Sequence, residues 1–290
     1  MKLAIQMFNL AAGGDWDNIS SMEQLYELLE SLKSAGYDGL EWCGFMLNGD
    51  WLDLELLKQN MDALGLETCA MHFHIQSRES LREDCEKAVR QCRVLGSPYL
   101  ILASTTPQMF GIEPDAQEEK DPFGKAPVCF APEKIDAWIQ ETNAVLDVMK
   151  EVCHKAGIRV LYHNHADEMR KGSDGRYFFD AIAPDGKEID VYWVAKGLDG
   201  KVSTALQYVR EQKEAVQLIH IKDGLNGSVF PNEMCGWGKG TYPIQSEIDC
   251  AKELGLSYVV SENDAPKNFG TTGLEDAIQT AAYAAEKLVL

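Results

Sequence analysis

The sequence is poor in positive charge. Lys and Arg number 27 against 46 Asp and Glu, a formal charge of −19 over 290 residues, and no basic cluster is longer than a pair. Such a surface repels a phosphate backbone, which excludes nucleic acid as the expected partner. No run approaches the ~20 apolar residues of a membrane span. The opening stretch, MKLAIQMFNLAAGGDW, is too short and interrupted in its apolar run to read as a secretory leader. The eight cysteines (Cys43, Cys69, Cys85, Cys92, Cys129, Cys153, Cys235, Cys250) contain no C-x-x-C pair and no zinc-finger spacing. Scattered thiols of this kind read as small core residues of a reduced, cytoplasmic protein. Also missing is a Gly-rich phosphate turn: FNLAAGGDWD, after the first apolar segment, is not G-x-G-x-x-G, which counts against a doubly wound dinucleotide fold.

Hydrophobic residues are 45% and charged residues 25%, enough apolar material for a large core without staples. One local pattern recurs: a helical segment ends in Gly and an apolar strand follows. It reads as LKSAGYDGLEW, MDALGLETCAMHF, CRVLGSPYLILA, CHKAGIRVLYHN and AKELGLSYVVSE. Gly36, Gly65, Gly96, Gly157 and Gly255 fit the left-handed position that closes a helix.

Reading outward from these junctions predicts strands over Leu3–Phe8, Gly39–Trp42, Glu67–Phe73, Tyr99–Ala103, Arg159–Asn164, Val191–Val194, Val216–Lys222 and Tyr258–Glu262. Helices are predicted over Met22–Ser34, Leu52–Ala63, Leu81–Val94, Pro132–Lys155, Ser203–Gln212, Ile244–Leu254 and Leu274–Lys287, with Ser173–Ile182 the weakest helical segment. Eight strands alternating with helices over residues 1–290 is the count of a single-domain (β/α)8 TIM barrel, an α/β fold. The connection from Ser104 to Pro132 is long, acidic and rich in Pro and Gly, and is expected as an insertion at the mouth where substrate enters.

In a parallel barrel all strand C-termini meet at one mouth. The expected strand ends carry Glu41, His72 and His74, then His163, Asn164, His165 and Glu168, Asp190, His220 with Lys222 and Asp223, and Glu262 with Asn263 and Asp264. Five of the six histidines fall there; only His154, on a helix beside Lys155, reads as an ordinary surface histidine. Polarity of that density can face inward only where a ligand, a metal or water satisfies it. Imidazoles and carboxylates without thiolates suit a divalent ion of the manganese, zinc, cobalt or ferrous group. Trp42, Trp193 and Trp237 lie on mouth segments and either stack on a ligand ring or pack in the core. GWGKG holds the one basic residue, Lys239, beside a Gly-rich turn that an anion would meet.

The motifs AGYDGLEW, YHNHADEM, DVYWVAKGLDG, IHIKDG, GWGKGTYPI and SEND span most of the chain, which resembles the sugar phosphate isomerase/epimerase family of xylose-isomerase-like TIM barrels. Inosose dehydratases, keto-glycoside epimerases and lyases, and apurinic endonuclease relatives share this fold. The resemblance implies a metal on two Glu, one Asp and one His: here Glu168, Asp190, His220 and Glu262. The departure of ADEM from the usual D-F-E-F brings in His163 or His165 as a substitute ligand. Manganese is the implied ion, with zinc, cobalt, iron and magnesium as alternatives. The implied chemistry is proton abstraction beside a carbonyl of a sugar, keto-sugar or cyclitol, with His163, His165, Lys222 and Glu262 as proton carriers. Lys222 is expected to have a lowered pKa. Glu41, Trp42, His72, His74, Asn164, Trp193 and Trp237 are the expected substrate contacts. The alternatives are a lyase or dehydratase using the same enolate, including cleavage of oxidised glycosides, and a non-catalytic sugar-binding barrel subunit. The expected partner is a small sugar or glycoside, with a homo- or hetero-oligomer left open.

Overall fold

A computed structural model describes residues 1–103, 105–117, 128–225 and 234–290. Eight parallel strands close into a barrel: β1 (Lys2–Gln6), β2 (Gly39–Cys43), β3 (Glu67–Phe73), β4 (Tyr99–Ala103), β5 (Arg159–His163), β6 (Gly186–Asp190), β7 (Val216–Ile221) and β8 (Tyr258–Ser261). Each pairs with its sequence neighbours, and β8 returns to β1 with Leu3 opposite Val259. The expected (β/α)8 TIM barrel is therefore the observed fold. The junction glycines Gly36, Gly65, Gly96, Gly157 and Gly255 all take positive φ, between 67° and 119°. Among the described residues no helix is long and apolar enough to cross a membrane, and the cysteines form no disulfide.

Two apolar layers hold the barrel. Outside, helices such as Met22–Ala35, Leu81–Leu95 and Pro132–His154 bury one face each against the strands. Inside, Ala4, Cys69, Ala70, Ile101, Leu161, Leu218 and Val260 form a small lumen core, with Tyr99 and Tyr258 packed against it. That apolar plug fills the lumen below the charged residues of the mouth, as side-chain layers do in barrels of this kind.

Two expected elements differ. The sixth strand was expected over Val191–Val194, but the strand is Gly186–Asp190 and Val191–Gly197 is a buried helix. The Asp190 carboxylate accepts the Trp193 backbone N–H at 3.0 Å, capping that helix and turning the chain where β6 ends. Apolar, β-branched and aromatic residues on all sides of a short helix mimic a strand; conversely, the strand GKEID is fully buried although polar, because it runs to the charged mouth. The first strand also ends earlier than expected, at Gln6, and Phe8–Gly13 is a helix. The connection after β4 contains a 3-10 turn at Pro107–Phe110 and a short antiparallel pair, Ala116–Gln117 with Val128–Cys129; residues 104 and 118–127 of the expected insertion lie outside the described residues.

The Phe8–Gly13 helix is fastened to the last helix at a point where backbones nearly touch. A Cβ on Gly13 would fall on the backbone of Gly273. Asn9 ties the same contact, donating to the Gly273 carbonyl at 2.8 Å and accepting the Asn263 backbone N–H at 2.9 Å. The consequence reaches the mouth, because Asn263 follows Glu262. Gly13→Ala is expected to force the two helices apart and cost about 2 kcal/mol or more. Urea unfolding would show this as a lower midpoint; an unchanged midpoint would mean the contact is slack.

Candidate active site

Register places the charged residues in two layers. Glu41 pairs across to Gln6, His163 to Glu188, Asp190 to His220, and His220 to Val260. The deeper layer holds Glu41, His72, His163, Glu188 and His220, all essentially buried. His72 Nε2 lies 2.7 Å from Glu41 Oε1 and 2.7 Å from Glu188 Oε2. His220 Nε2 lies 3.0 Å from Glu41 Oε1 and 3.2 Å from Glu188 Oε2, and His163 Nδ1 is 2.9 Å from Glu188 Oε2. Gln6 donates its amide to Glu41 from below.

The upper layer is built around Lys222. Its ammonium lies 3.0 Å from Asp190 Oδ2, 2.8 Å from Glu262 Oε2 and 2.8 Å from Asp264 Oδ2, and 5.3 Å from the Trp193 ring centre. His220 joins the layers, its Nδ1 facing Glu262 Oε2 at 2.9 Å. Asp264 and His165 form the more open edge of this group, and His74 is exposed on the rim beside Phe45.

Burial opposes charge throughout, so each ionised group depends on its partners. For Lys222 burial disfavours the ammonium, but Asp190, Asp264 and Glu262 outweigh it and hold its pKa well above the ordinary lysine value. The lowered pKa expected from the sequence is thus corrected: three carboxylates face this lysine. Burial likewise opposes an ionised Glu262, yet Lys222 and His220 pull its carboxyl below the usual range. The Glu41 and Glu188 carboxylates overcome burial to push His72 up to about 10. His163 and His165 go the other way. Burial, and then the neighbouring cations, keep both imidazoles neutral, with His165 down at about 3. Nδ1 of His165 is buried without a hydrogen-bond partner.

Several expected site residues sit elsewhere. Glu168 is buried but turned out of the lumen: Oε1 accepts from the Tyr162 hydroxyl at 3.0 Å and Oε2 from the His165 backbone N–H at 2.9 Å. It stands in neither group of converging donor atoms, so it braces the His165 segment. The Asn164 amide is spent on the Asp190 backbone, accepting its N–H at 3.0 Å. Trp42 points away from Glu41 and packs edge-on against Trp16, with centroids 6.3 Å apart. Trp237 donates its indole N–H to the Ile221 carbonyl at 3.1 Å, whereas Trp193 lies against His165. The backbone donors of the GWGKG turn are taken from within the chain. Asp223 already accepts the backbone N–H groups of Gly224, Gly238, Gly240 and Tyr242 at 2.8–3.1 Å, and Lys239 is exposed.

Glu188 was missed by sequence reasoning. Its signal was alternation: once β6 is placed over Gly186–Asp190, Glu188 and Asp190 share a face two residues apart. An open volume of about 690 Å³ lies at the opposite end of the barrel, lined by strand starts such as Glu67, Tyr99, Gln217 and Tyr258. That face is the structural end of such barrels, and the buried cluster of imidazoles, carboxylates and Lys222 lies at the other.

Two groups of donor atoms converge closely enough to hold a metal ion: His72, His163, Glu188 and His220, and His163, Asp190, His220 and Glu262. Glu41 Oε2 and Glu188 Oε1 are buried without hydrogen-bond partners, as expected where a cation completes the site. The donor set therefore fits a divalent ion that accepts imidazole and carboxylate.

No protein-family model and no curated protein matches the sequence. Solved structures do match over nearly the whole chain. A sugar phosphate isomerase/epimerase from Parabacteroides distasonis ATCC 8503 superposes with a TM-score of 0.69 at 20% identity, covering 99% of this chain and 94% of the other. The IolI protein with a bound zinc atom gives 0.63 at 16% identity, covering 98% and 96%. A D-allulose 3-epimerase from Methylomonas sp. gives 0.60 at 14% identity, covering 99% and 96%. The fold is that of the sugar phosphate isomerase/epimerase barrels. At these identities the likeness bears on fold, and the resemblance read from the motifs is met at that level.

Burial, and then the neighbouring Asp167, push Glu168 up to about 8, so the folded chain holds a proton that the unfolded chain loses near 4.5. The linked stability is fully present below the unfolded value and disappears as pH rises through about 8. Glu168→Gln removes that dependence. Its stability relative to the parent is expected to rise by about 1.4 kcal/mol per pH unit across this window. Urea unfolding at about pH 5 and about pH 9 checks it; a constant difference would mean Glu168 is ionised in the fold.

Proposed function

We propose that the protein is a divalent-metal-dependent sugar isomerase or epimerase that moves a proton at a carbon next to a carbonyl of a sugar, keto-sugar or cyclitol. The observation that carries this reading is the buried, two-layered set of imidazoles, carboxylates and one ammonium at the barrel mouth. The barrels it resembles in shape include proteins described as a sugar phosphate isomerase/epimerase, a D-allulose 3-epimerase and a zinc-bound IolI protein, which supports the same class. The charge of −19 and the self-occupied GWGKG turn favour a neutral sugar, oxidised glycoside or cyclitol over a phosphorylated one.

A bound divalent ion supplies Lewis acidity to substrate oxygens. His163 and His220, common to both donor groups, would hold it with neighbouring carboxylates. The chain's own residues do the rest. His165 lies at the more open edge and has an unpartnered Nδ1, so it is the candidate base, one whose basicity must rise from its low value as a bound substrate places negative charge beside it. Lys222 stays an ammonium and faces negative charge developing on a substrate oxygen. Asp264, pushed by burial up to about 7 against the pull of Lys222, can hold a proton near neutral pH and return it. Glu262 stays ionised and orients both Lys222 and His220. Trp193 walls the site beside His165 and Lys222.

The test is solvent isotope exchange. Metal-loaded protein is incubated in D2O with ketoses, inososes and 3-keto-glycosides, and products are read by NMR and mass spectrometry. Deuterium at the carbon beside the carbonyl with the carbon skeleton conserved is the expected result. Loss of water or an aglycone would assign the lyase reading instead, and binding without exchange would assign a non-catalytic barrel. His165→Ala is expected to slow exchange by about 100-fold or more; an undiminished rate would remove His165 as the base.

A further inference from the structure

We propose that the mouth carries a second subsite, formed by Phe45 and His74, that takes a planar aromatic group attached to the sugar, so that the substrate is an aryl glycoside or its keto form and not a free sugar. This inference rests on the reading of the mouth as a sugar site and specifies the substrate class.

The first reason is how the rim is divided. Phe45, Met109 and Phe269 expose 46%, 46% and 36% of their surface in the turns after β2, β4 and β8. His165, Trp193 and Lys222 follow β5, β6 and β7 on the other side. Among the described residues no large apolar side chain is exposed in the turns on that side. A ligand that spans such a mouth is polar at one end and apolar at the other.

The second reason is reach. Phe45, His74, His72, His163 and His165 form a series of rings from the rim to the candidate base, with successive centroids 6.1, 6.5, 4.9 and 5.1 Å apart. Three rings therefore separate Phe45 from His165, and each step is close to the width of one sugar ring. A sugar whose carbon meets His165 ends short of Phe45. Only a group linked to that sugar extends to the rim.

The third reason is the chemistry of the rim. Phe45 and His74 meet edge to face at 64°, which leaves a corner for a flat ring lying against one and edge-on to the other. Beside them is a notch of about 90 Å³ floored by Phe73 and Ala88. This is less than the ~150 Å³ that encloses a benzene ring, so the notch admits the edge of one ring and no protein segment. Its inner polar groups are engaged within the chain: Asp84 accepts the Ser80 hydroxyl at 2.7 Å, and the Gln91 amide donates to the Leu47 carbonyl at 3.0 Å. A hydroxyl pressed onto the apolar floor would go unsatisfied, which disfavours a second sugar. Gln76 and Lys87 stand exposed at the lip, where they suit a substituent such as a phenolic hydroxyl.

The experiment titrates the full chain, in the presence of zinc(II), with 4-hydroxyphenyl and methyl β-glucosides, their 3-keto forms and a glucosyl-glucoside, following binding by saturation-transfer NMR. The parent should bind the aryl compounds at least about tenfold tighter than the methyl compounds, with the strongest saturation on the aryl protons. Phe45→Ala should cut that preference by about tenfold, whereas Phe45→Trp, which keeps a ring, should retain it. Saturation confined to the sugar protons, a preference that Phe45→Ala leaves intact, tighter binding of the glucosyl-glucoside, or no binding by any of the compounds would each overturn the inference. Phe45-dependent aryl binding without deuterium exchange in D2O would leave this subsite standing and overturn the isomerase reading. Exchange on the methyl keto-glucoside with no aryl preference would do the reverse.

Discussion

The molecule depends on a balance of buried charge. Glu41, Glu188, Asp190, Lys222, His72, His220 and Glu262 have almost no contact with solvent, and an isolated charge in such a place is costly. None is isolated. Every ionised group lies within about one hydrogen bond of an opposite charge, and His220 bridges the two layers through its two ring nitrogens. Removing one member strands its partners, so these residues constrain one another. The apolar plug beneath them fills the lumen on the other side, and the mouth is the remaining direction from which a ligand can reach them.

This balance divides labour among residues that look alike in the sequence. Four histidines sit in the mouth cluster, but two are held protonated by carboxylates and two are kept neutral by burial and neighbouring cations. The carboxyls divide in the same way: Glu262 is held ionised by Lys222 and His220, while Asp264, two residues along in the same layer, is raised towards neutrality. Pairs of titratable groups with environments that push their pKa values apart are the usual mark of acid and base roles. Behind the lumen, Glu168 and Tyr162 form a second polar network with Thr105, which also accepts the Trp138 indole N–H. It fastens the segment carrying His165 to the outer helix Pro132–His154.

Much of the fold was legible because its punctuation is local. A glycine in the left-handed region ends a helix whatever surrounds it, and the apolar run behind each one is a strand; five such junctions fall where the chain turns from helix to strand. The helix Pro132–His154 and the strands Glu67–Phe73 and Tyr99–Ala103 follow from periodicity and were placed to within a residue. The sixth strand was not, because its cue is reversed. GKEID is polar where a buried strand should be apolar, and VYWVAKG is apolar and β-branched where it is helical. Only the neighbours explain this, since GKEID pairs with β5 and β7 and points its acids at their histidines.

The sequence by itself determined which residue types gather at the mouth, because strand ends in a parallel barrel share one face regardless of detail. It also determined that no basic surface would compete with them, whereas the GWGKG turn that reads as a place for an anion is occupied by the Asp223 carboxylate only in the folded chain. Tertiary structure alone decided which groups touch. Glu168 and Glu188 are both acids in polar segments near strand ends, yet a change of strand boundary sends one behind the barrel and the other to its centre. Lys222 was expected to be depressed and is elevated, because the sign of a buried group's shift is set by neighbours from other strands within about 3 Å, a distance that no spacing along the chain encodes.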